Sequence, residues 1–418
     1  MTALAPIPAA SHSSVSRSIA DLPFFDVAVS DKTPGDRLNG EFKKNAKLPG
    51  ILVLHDGELV GTISRSSYYQ VLSGRMGQEI YGVRPVERML KHINLPPFVV
   101  APDASVAEVV RKGLERPLHV SYDPVVYRHP VAGYRIVDFH ELMQAQSELL
   151  GMAMVEVEEK NKQVHDSILY AERIQRSMLY NPDRPLPIHL EHFVVFRPRD
   201  IVSGDFYWIR EANDRIYVAV ADCTGHGVPG AFMSLIGHGH LNDIVSQRGY
   251  TDPGIILEEL HKGVRDSLCQ ETGNDSAHDG MEVGLCVVNP ASGELLFAGA
   301  NRPLYSVDAA GQFHEHKGDR KPIGGTQKEA KREFATLSLR IEDGTTYYLC
   351  SDGVGDQPNP EGKKLGSRRV REALYQLASR SLGEQKAAFE KVLDDHQAGA
   401  PQRDDIALLG FHLKGSRK

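Results

Sequence analysis

The chain has 418 residues, 41% of them apolar and 25% charged, four cysteines, and a formal net charge of −7. That length exceeds one ordinary core and predicts two or three structural units, in the composition of a soluble globular protein. The negative balance speaks against a nucleic-acid surface, and no apolar run approaches the roughly 18 residues that a membrane span requires.

Residues 1–20 are small and polar, without a basic start followed by an apolar stretch, and read as a disordered lead-in. Residues 21–140 read as a small α/β module. ILVLHDGELVGTIS (51–64) sets a strand, an Asp-Gly turn and a second strand in succession, which predicts a hairpin. FVVAPDAS (98–105) leads into a helix, VAEVVRKGLE, capped by Asp103 or Ser105, and PVVYRHPVAGYRIVD (124–138) is a further strand pair.

A helical linker is predicted over 141–182. Leu150, Val157, Val164, Ala171 and Met178 recur every seventh residue, and Met154, Asn161, Ile168 and Gln175 fill the complementary positions. This is a heptad seam with Glu and Lys outside it, and it predicts a homodimer through 141–179, with Asn161 fixing the register of a parallel pair. The alternative is a single amphipathic helix packed on its own domain.

After the break at NPDRPLP (181–187), residues 183–418 change pattern. Strands are predicted at 192–196, 215–222, 282–289, 294–300, 345–350 and 405–411. One helix pair falls between the second and third of these, and another, near 368–380 and 383–397, precedes the last. Runs of strands separated by helix pairs predict an α+β fold with two mostly antiparallel sheets flanked by helices, rather than a doubly wound sheet.

Four acidic sites stand where strands meet loops: Asp205 in IVSGDFYW, Asp222 at the end of VAVAD, Asp352 in SDGVGDQ, and Asp404 with Asp405 in QRDDIALL. Any one alone reads as a turn former or helix cap. Together they are candidates to converge on one sheet edge, where two unit charges about 4 Å apart repel by roughly 4 kcal/mol at an effective dielectric near 20. Cations or protons must then sit between them, and hard oxygen ligands without His or Cys select Mg²⁺ or Mn²⁺. Gly204 and Gly353 beside the acids permit close approach.

Other signals carry less. GHGVPG (225–230) has the spacing of a dinucleotide-binding turn, but Asp243 falls within a helix instead of ending a strand. His226, His238 and His240 lack a third-ligand pattern for zinc, and the scattered Cys223, Cys269, Cys286 and Cys350 form no zinc or disulfide framework and fit a reducing cytoplasm. Arg197 and Arg199 are candidates to hold a substrate phosphate, or are solvated surface charges.

LPGILVLHDGELVGTISRSSYYQVL, with PDASVAEVVRKGLERP and YRIVDFHELM, resembles a tandem CBS-like sensory module. Ser67 and Glu141 stand where nucleotide-binding relatives carry Asp. SGDFYW, ADCTGHGVPGAFMSLIG, DGMEVGLCVV, FAGANRPLY, KPIGG, SDGVGDQ and QRDDIALL, in that order, resemble the SpoIIE-like branch of the PPM metal-dependent protein phosphatases over about 165–413. That resemblance implies a β-sandwich flanked by helix pairs and a site for two Mn²⁺ or Mg²⁺ ions. Asp222 would bridge both ions beside the carbonyl of Cys223, with Asp205 on one ion and Asp352 and Asp404 on the other. Asp205 and Asp222 would be the catalytic pair, with water as nucleophile. Glu282 stands where most relatives carry Asp, which leaves a third-metal role for Asp279 or Glu282 open. The resemblance further implies a cytoplasmic signalling enzyme that removes phosphate from Ser or Thr of a small regulatory protein, such as a STAS-type anti-sigma-factor antagonist. The rival readings are a non-catalytic phosphoprotein-binding adaptor and a small-molecule phosphohydrolase.

Overall fold

The computed structural model describes residues 17–179, 190–270, 278–325 and 331–413. Residues 1–16 of the expected lead-in and the break at 181–187 lie outside the described residues, whereas residues 17–20 are ordered, with Ile19 buried in the first unit's core and its amide bonded to the Ala104 carbonyl. The backbone divides into two compact units, Met1–Lys162 and Gln163–Lys418. Among the described residues no helix is long and apolar enough to cross a membrane.

The first unit contains β1 (Ala28–Ser30), α1 (Asp36–Lys44), β2 (Gly50–His55), β3 (Glu58–Ser64), α2 (Arg65–Ser73), α3 (Val86–Ile93), β4 (Val99–Val100), α4 (Val106–Leu114), β5 (Val125–His129), β6 (Gly133–Val137) and the start of α5 (Phe139–Met178). Its strands form two three-stranded sheets, β1-β2-β3 and β4-β5-β6. In each, the first strand runs parallel to the second and the second antiparallel to the third. The unit is therefore an internal repeat of one β-α-β-β-α pattern. The predicted hairpin is β2–β3, turning on Asp56 and Gly57, both at positive φ (49° and 86°), as a two-residue turn requires. Of the two cap candidates, Ser105 caps α4 by accepting from the Glu108 amide.

The second unit contains β7 (Leu190–Arg197), β8 (Phe206–Ala212), β9 (Arg215–Cys223), α6 (Gly227–Asn242), α7 (Pro253–Ser267), β10 (Gly280–Asn289), β11 (Glu294–Ala300), β12 (Leu304–Val307), β13 (Phe313–His316), β14 (Ile323–Gly324), β15 (Leu337–Arg340), β16 (Thr346–Cys350), α8 (Gly353–Asp356), α9 (Gly366–Leu377), α10 (Leu382–Gln397) and β17 (Ile406–Leu413). One sheet runs β15-β11-β10-β9-β8 with β14 beside β10; the other runs β13-β12-β16-β17-β7. All their pairings are antiparallel.

Side-chain alternation builds four layers from these strands. Ile216, Val218 and Val220 of β9 face Tyr347, Leu349, Leu409 and Phe411 of the other sheet in one buried cluster. Tyr217, Ala219 and Ala221 face the opposite way, onto Met233, Leu241, Leu257 and Leu260 of α6 and α7. On the far side, Tyr348 and Leu408 pack on Leu374, Phe389 and Leu393 of α9 and α10. The expected sandwich flanked by helix pairs is thus the observed architecture. The seven-residue β8 and the short β12–β15 are additions that the apolar pattern did not announce.

α5 is a single 40-residue helix. Phe139, Leu142 and Ala145 are buried in the first unit, Gln175 in the second. Between them Leu150, Met154, Val157 and Val164 are 57%, 73%, 57% and 59% exposed. Gln175, read from the sequence as part of the seam, is instead buried in the second unit's interior at 5% exposure.

Candidate metal centre

The alternation that builds the sandwich also delivers its acids. Asp222 continues the row of Ile216, Val218 and Val220; Asp405 continues that of Ala407 and Leu409; Asp205 precedes that of Tyr207 and Ile209. Three carboxylates from different strands are thus aimed toward one end of the intersheet space. Cys223 points the other way, into the helix-side core, where burial first and then the neighbouring acids push its thiol well above the usual range.

Asp205 is 3% exposed, and its Oδ2 is buried without a hydrogen-bond partner. Burial, then the charges of Asp222, Asp405 and Asp404, raise its carboxyl well above the usual range, against a hydrogen bond from Ser351. Burial likewise pushes Asp222 up to about 7, offset by Arg302 and reinforced by Asp352. Burial raises Asp404, against a hydrogen bond from the Asp405 amide and with the charges of Asp352 and Asp405 adding to the effect. The structure therefore brings Asp205, Asp222, Asp352 and Asp404 into one electrostatic neighbourhood. The Asp352 amide donates to Asp222 Oδ2 at 3.0 Å, which ties the loop after β16 to the end of β9.

Asp405 has a different task. Its Oδ1 accepts from the Arg199 amide and its Oδ2 from the Gly204 amide, both at 2.7 Å. It pins the loop that carries Asp205 to β17. Glycine is required on both sides of this junction. A Cβ on Gly353 would lie 1.9 Å from the Asp405 carbonyl oxygen, and one on Gly204 would lie 2.4 Å from that of Gly225.

The remaining sequence candidates separate. Arg197 pairs with Asp394 at 2.5 Å, and Arg199 Nη1 donates to the Arg403 carbonyl at 3.2 Å. His226 pairs with Asp200, His240 with Ser267 and His238 with Asn242, so the three histidines do not share a site. The Asp279 carbonyl accepts from Gln270, and Glu282 lies directly across the ladder from Asp222.

Sequence reasoning missed two residues. Arg302 places Nη2 3.0 Å from Asp222 Oδ2 and 3.2 Å from Asp352 Oδ2, and also on Glu282 Oε2. Gln175 near the end of α5 donates through Nε2 to the Ser203 carbonyl (2.7 Å) and to Ser234 Oγ (2.9 Å), while its Oε1 accepts from the Ser203 amide (3.1 Å). Arg302 lay in the quoted FAGANRPLY motif, but only a fold could show that its partners are remote acids.

The donor set fits hard divalent cations: all carboxylate oxygen, with one buried oxygen unpartnered and charges that repel unless neutralised. Among the described residues no three His, Cys, Asp or Glu side chains enclose an ion as they stand. Arg302 lies between Asp222 and Asp352, so an ion there requires side-chain movement. A cavity of about 250 Å³ adjoins the acids, lined in part by Asp222, Thr224, Glu282, Arg302 and Asp352.

A family model described as stage II sporulation protein E (SpoIIE) matches residues 212–414, a span that opens after Asp205 and includes the other acids. The chain is similar to the SiaA-PP2C domain of Pseudomonas aeruginosa, 36% identical, covering 61% of this chain and 99% of that one at a TM-score of 0.53. It is also similar to the PP2C phosphatase domain, with a fragment of the regulatory domain, of SpoIIE from Bacillus subtilis: 15% identity, 54% of this chain, 63% of that one, TM-score 0.44. Protein IcfG of Synechocystis is 24% identical over 240 residues, 52% of this chain, and the match spans 37% of IcfG.

Proposed function

Because the chain belongs to the SpoIIE-like family of PP2C-type protein phosphatases, we propose that its second unit removes phosphate from serine or threonine of a protein substrate, using two Mn²⁺ or Mg²⁺ ions. Asp205, Asp222, the carbonyl of Cys223, Asp352 and Asp404 would hold them. The observation that carries this reading is Asp205, a carboxylate buried with a free oxygen among other acids. Such a group is costly unless a cation or a proton neutralises it, and a cation can also take the free oxygen as a ligand.

When bound, such ions lower the pKa of water toward neutrality and offset charge on the phosphoryl oxygens. The chain's own groups hold the frame. Asp405 fixes the Asp205 loop through two backbone amides, and the Asp352 amide fixes Asp222. The Cys223 thiol stays protonated and is no nucleophile. Either Arg197 or Arg199 would have to leave its present partner to take a phosphate.

The same reading assigns the N-terminal repeat as a CBS-like input module and the exposed row Leu150, Met154, Val157 and Val164 as a homodimer seam. It takes a small regulatory protein of STAS type as substrate, in the cytoplasm. The test is Mn²⁺-dependent phosphate release from a phosphoserine protein, with Asp222→Asn and Asp352→Asn as controls. Full activity in both variants, or insensitivity to EDTA, refutes the metal reading. Faster turnover of sugar or nucleotide phosphates refutes the protein-substrate reading.

A further inference from the structure

One guanidinium stands among the acids at this end of the sandwich, and the backbone holds it there. A Cβ on Gly299 or Gly318 would come within 2.1 or 2.6 Å of the Arg302 carbonyl oxygen, so the chain packs closely around that residue. Asn301, in the left-handed region at φ 58°, donates through Nδ2 to Glu282 Oε1 at 3.0 Å. Arg302 itself is 12% exposed and reaches Asp222, Glu282 and Asp352 through a single nitrogen. Guanidinium keeps its proton at any working pH, so this charge is permanent.

The ladder needs such a charge. Asp222 and Glu282 are direct cross-strand partners on β9 and β10. Like charges in that relation destabilise a sheet, and Arg302 bridges them. It also stands between Asp222 and Asp352.

We propose that Arg302 is a resident cation of the metal centre. It neutralises Asp222, Glu282 and Asp352 before a divalent ion enters, and the ion must displace its Nη2 from Asp222 and Asp352. Arg302 therefore weakens divalent binding, which is the opposite of what a simple structural strut does. This rests on the metal reading of the acids. Removing a strut lets Asp222 and Asp352 spread and weakens metal binding; removing a competing cation strengthens it.

The test is Mn²⁺ titration of the full chain, following the free ion by electron paramagnetic resonance. Wild type should bind Mn²⁺ and Asp222→Asn should lose that binding. Arg302→Gln should bind about tenfold tighter or more, a modest share of what one unit charge exerts on a nearby divalent ion at an effective dielectric near 20. Equal or weaker binding by folded Arg302→Gln overturns the assignment and leaves the metal reading standing. No binding by wild type, or undiminished binding by Asp222→Asn, overturns both. A measurement on wild type guards against misfolding of the variant: phenylglyoxal labelling of Arg302, read by peptide mass spectrometry. Labelling should accelerate several-fold under saturating Mn²⁺, as the ion frees the guanidinium; an unchanged rate overturns the proposal.

Discussion

Gln175→Met tests whether the end of α5 holds the Asp205 loop. Methionine keeps the length and most of the volume but deletes the amide. Ser203 is 0% exposed, and its amide and carbonyl both bond to Gln175. Both become buried orphans in the variant. At about 1–3 kcal/mol for each of the two groups, the loss is about 2–6 kcal/mol. Ser234 keeps its bond to the Ala231 carbonyl and adds little. The assay is urea unfolding followed by tryptophan fluorescence. The chain has one tryptophan, Trp208, 2% exposed on β8, so the signal reports the second unit alone. Because Ser203 and Asp205 share a loop, Mn²⁺ affinity should fall as well. A stability change within about 0.5 kcal/mol, the range of ordinary surface substitutions, refutes the clamp. Lost stability with unchanged Mn²⁺ affinity refutes its link to the metal centre.

Gly353→Ala drives a Cβ onto the Asp405 carbonyl, displacing either Asp352 or the Asp404–Asp405 turn. Misplacement of that order should cut Mn²⁺-dependent turnover by about a hundredfold, measured on folded protein. Asp405→Asn puts an amide nitrogen where one of two backbone amides now finds an acceptor, and should destabilise the second unit by about 1–3 kcal/mol in the same unfolding assay. Asp404→Asn leaves those bonds in place, so it should spare stability while abolishing metal-dependent activity; the reverse ranking would contradict the roles assigned to the pair. Leu150→Glu combined with Val157→Glu places charges in the exposed row of α5 and should halve the mass measured by light scattering. A wild type already monomeric at micromolar concentration defeats the seam.

What the sequence revealed follows physical range. Long apolar strands such as β9 and β10 and the helices α6, α7, α9 and α10 carry strong local periodicity and were readable. β12 to β15 are short and take their place from neighbours, so their residues show little pattern. The acids were visible because each stands where a strand meets a loop, a local feature. Their partners were not: Arg302 meets acids 20, 50 and 80 positions away, and Gln175 meets Ser203 across 28. Gln175 also shows how periodicity misleads. Its heptad position suits a coiled-coil seam, yet its polar amide finds buried backbone partners, and those decide where it goes. The repeat in the first unit is likewise one of topology, in which two halves share pairing directions without shared sequence.

The acids arrive from both halves of the sandwich: Asp205 and Asp222 flank strands of one sheet, Asp352 and Asp404 flank strands of the other. Neither sheet alone carries the set. The spacing of the acids is therefore set by how the two sheets mate, through buried residues such as Val218, Val220, Leu349 and Leu409. A divalent cation bound across that gap acts as a clasp, so cation affinity and cohesion of the sandwich are coupled quantities, and each will report on the other.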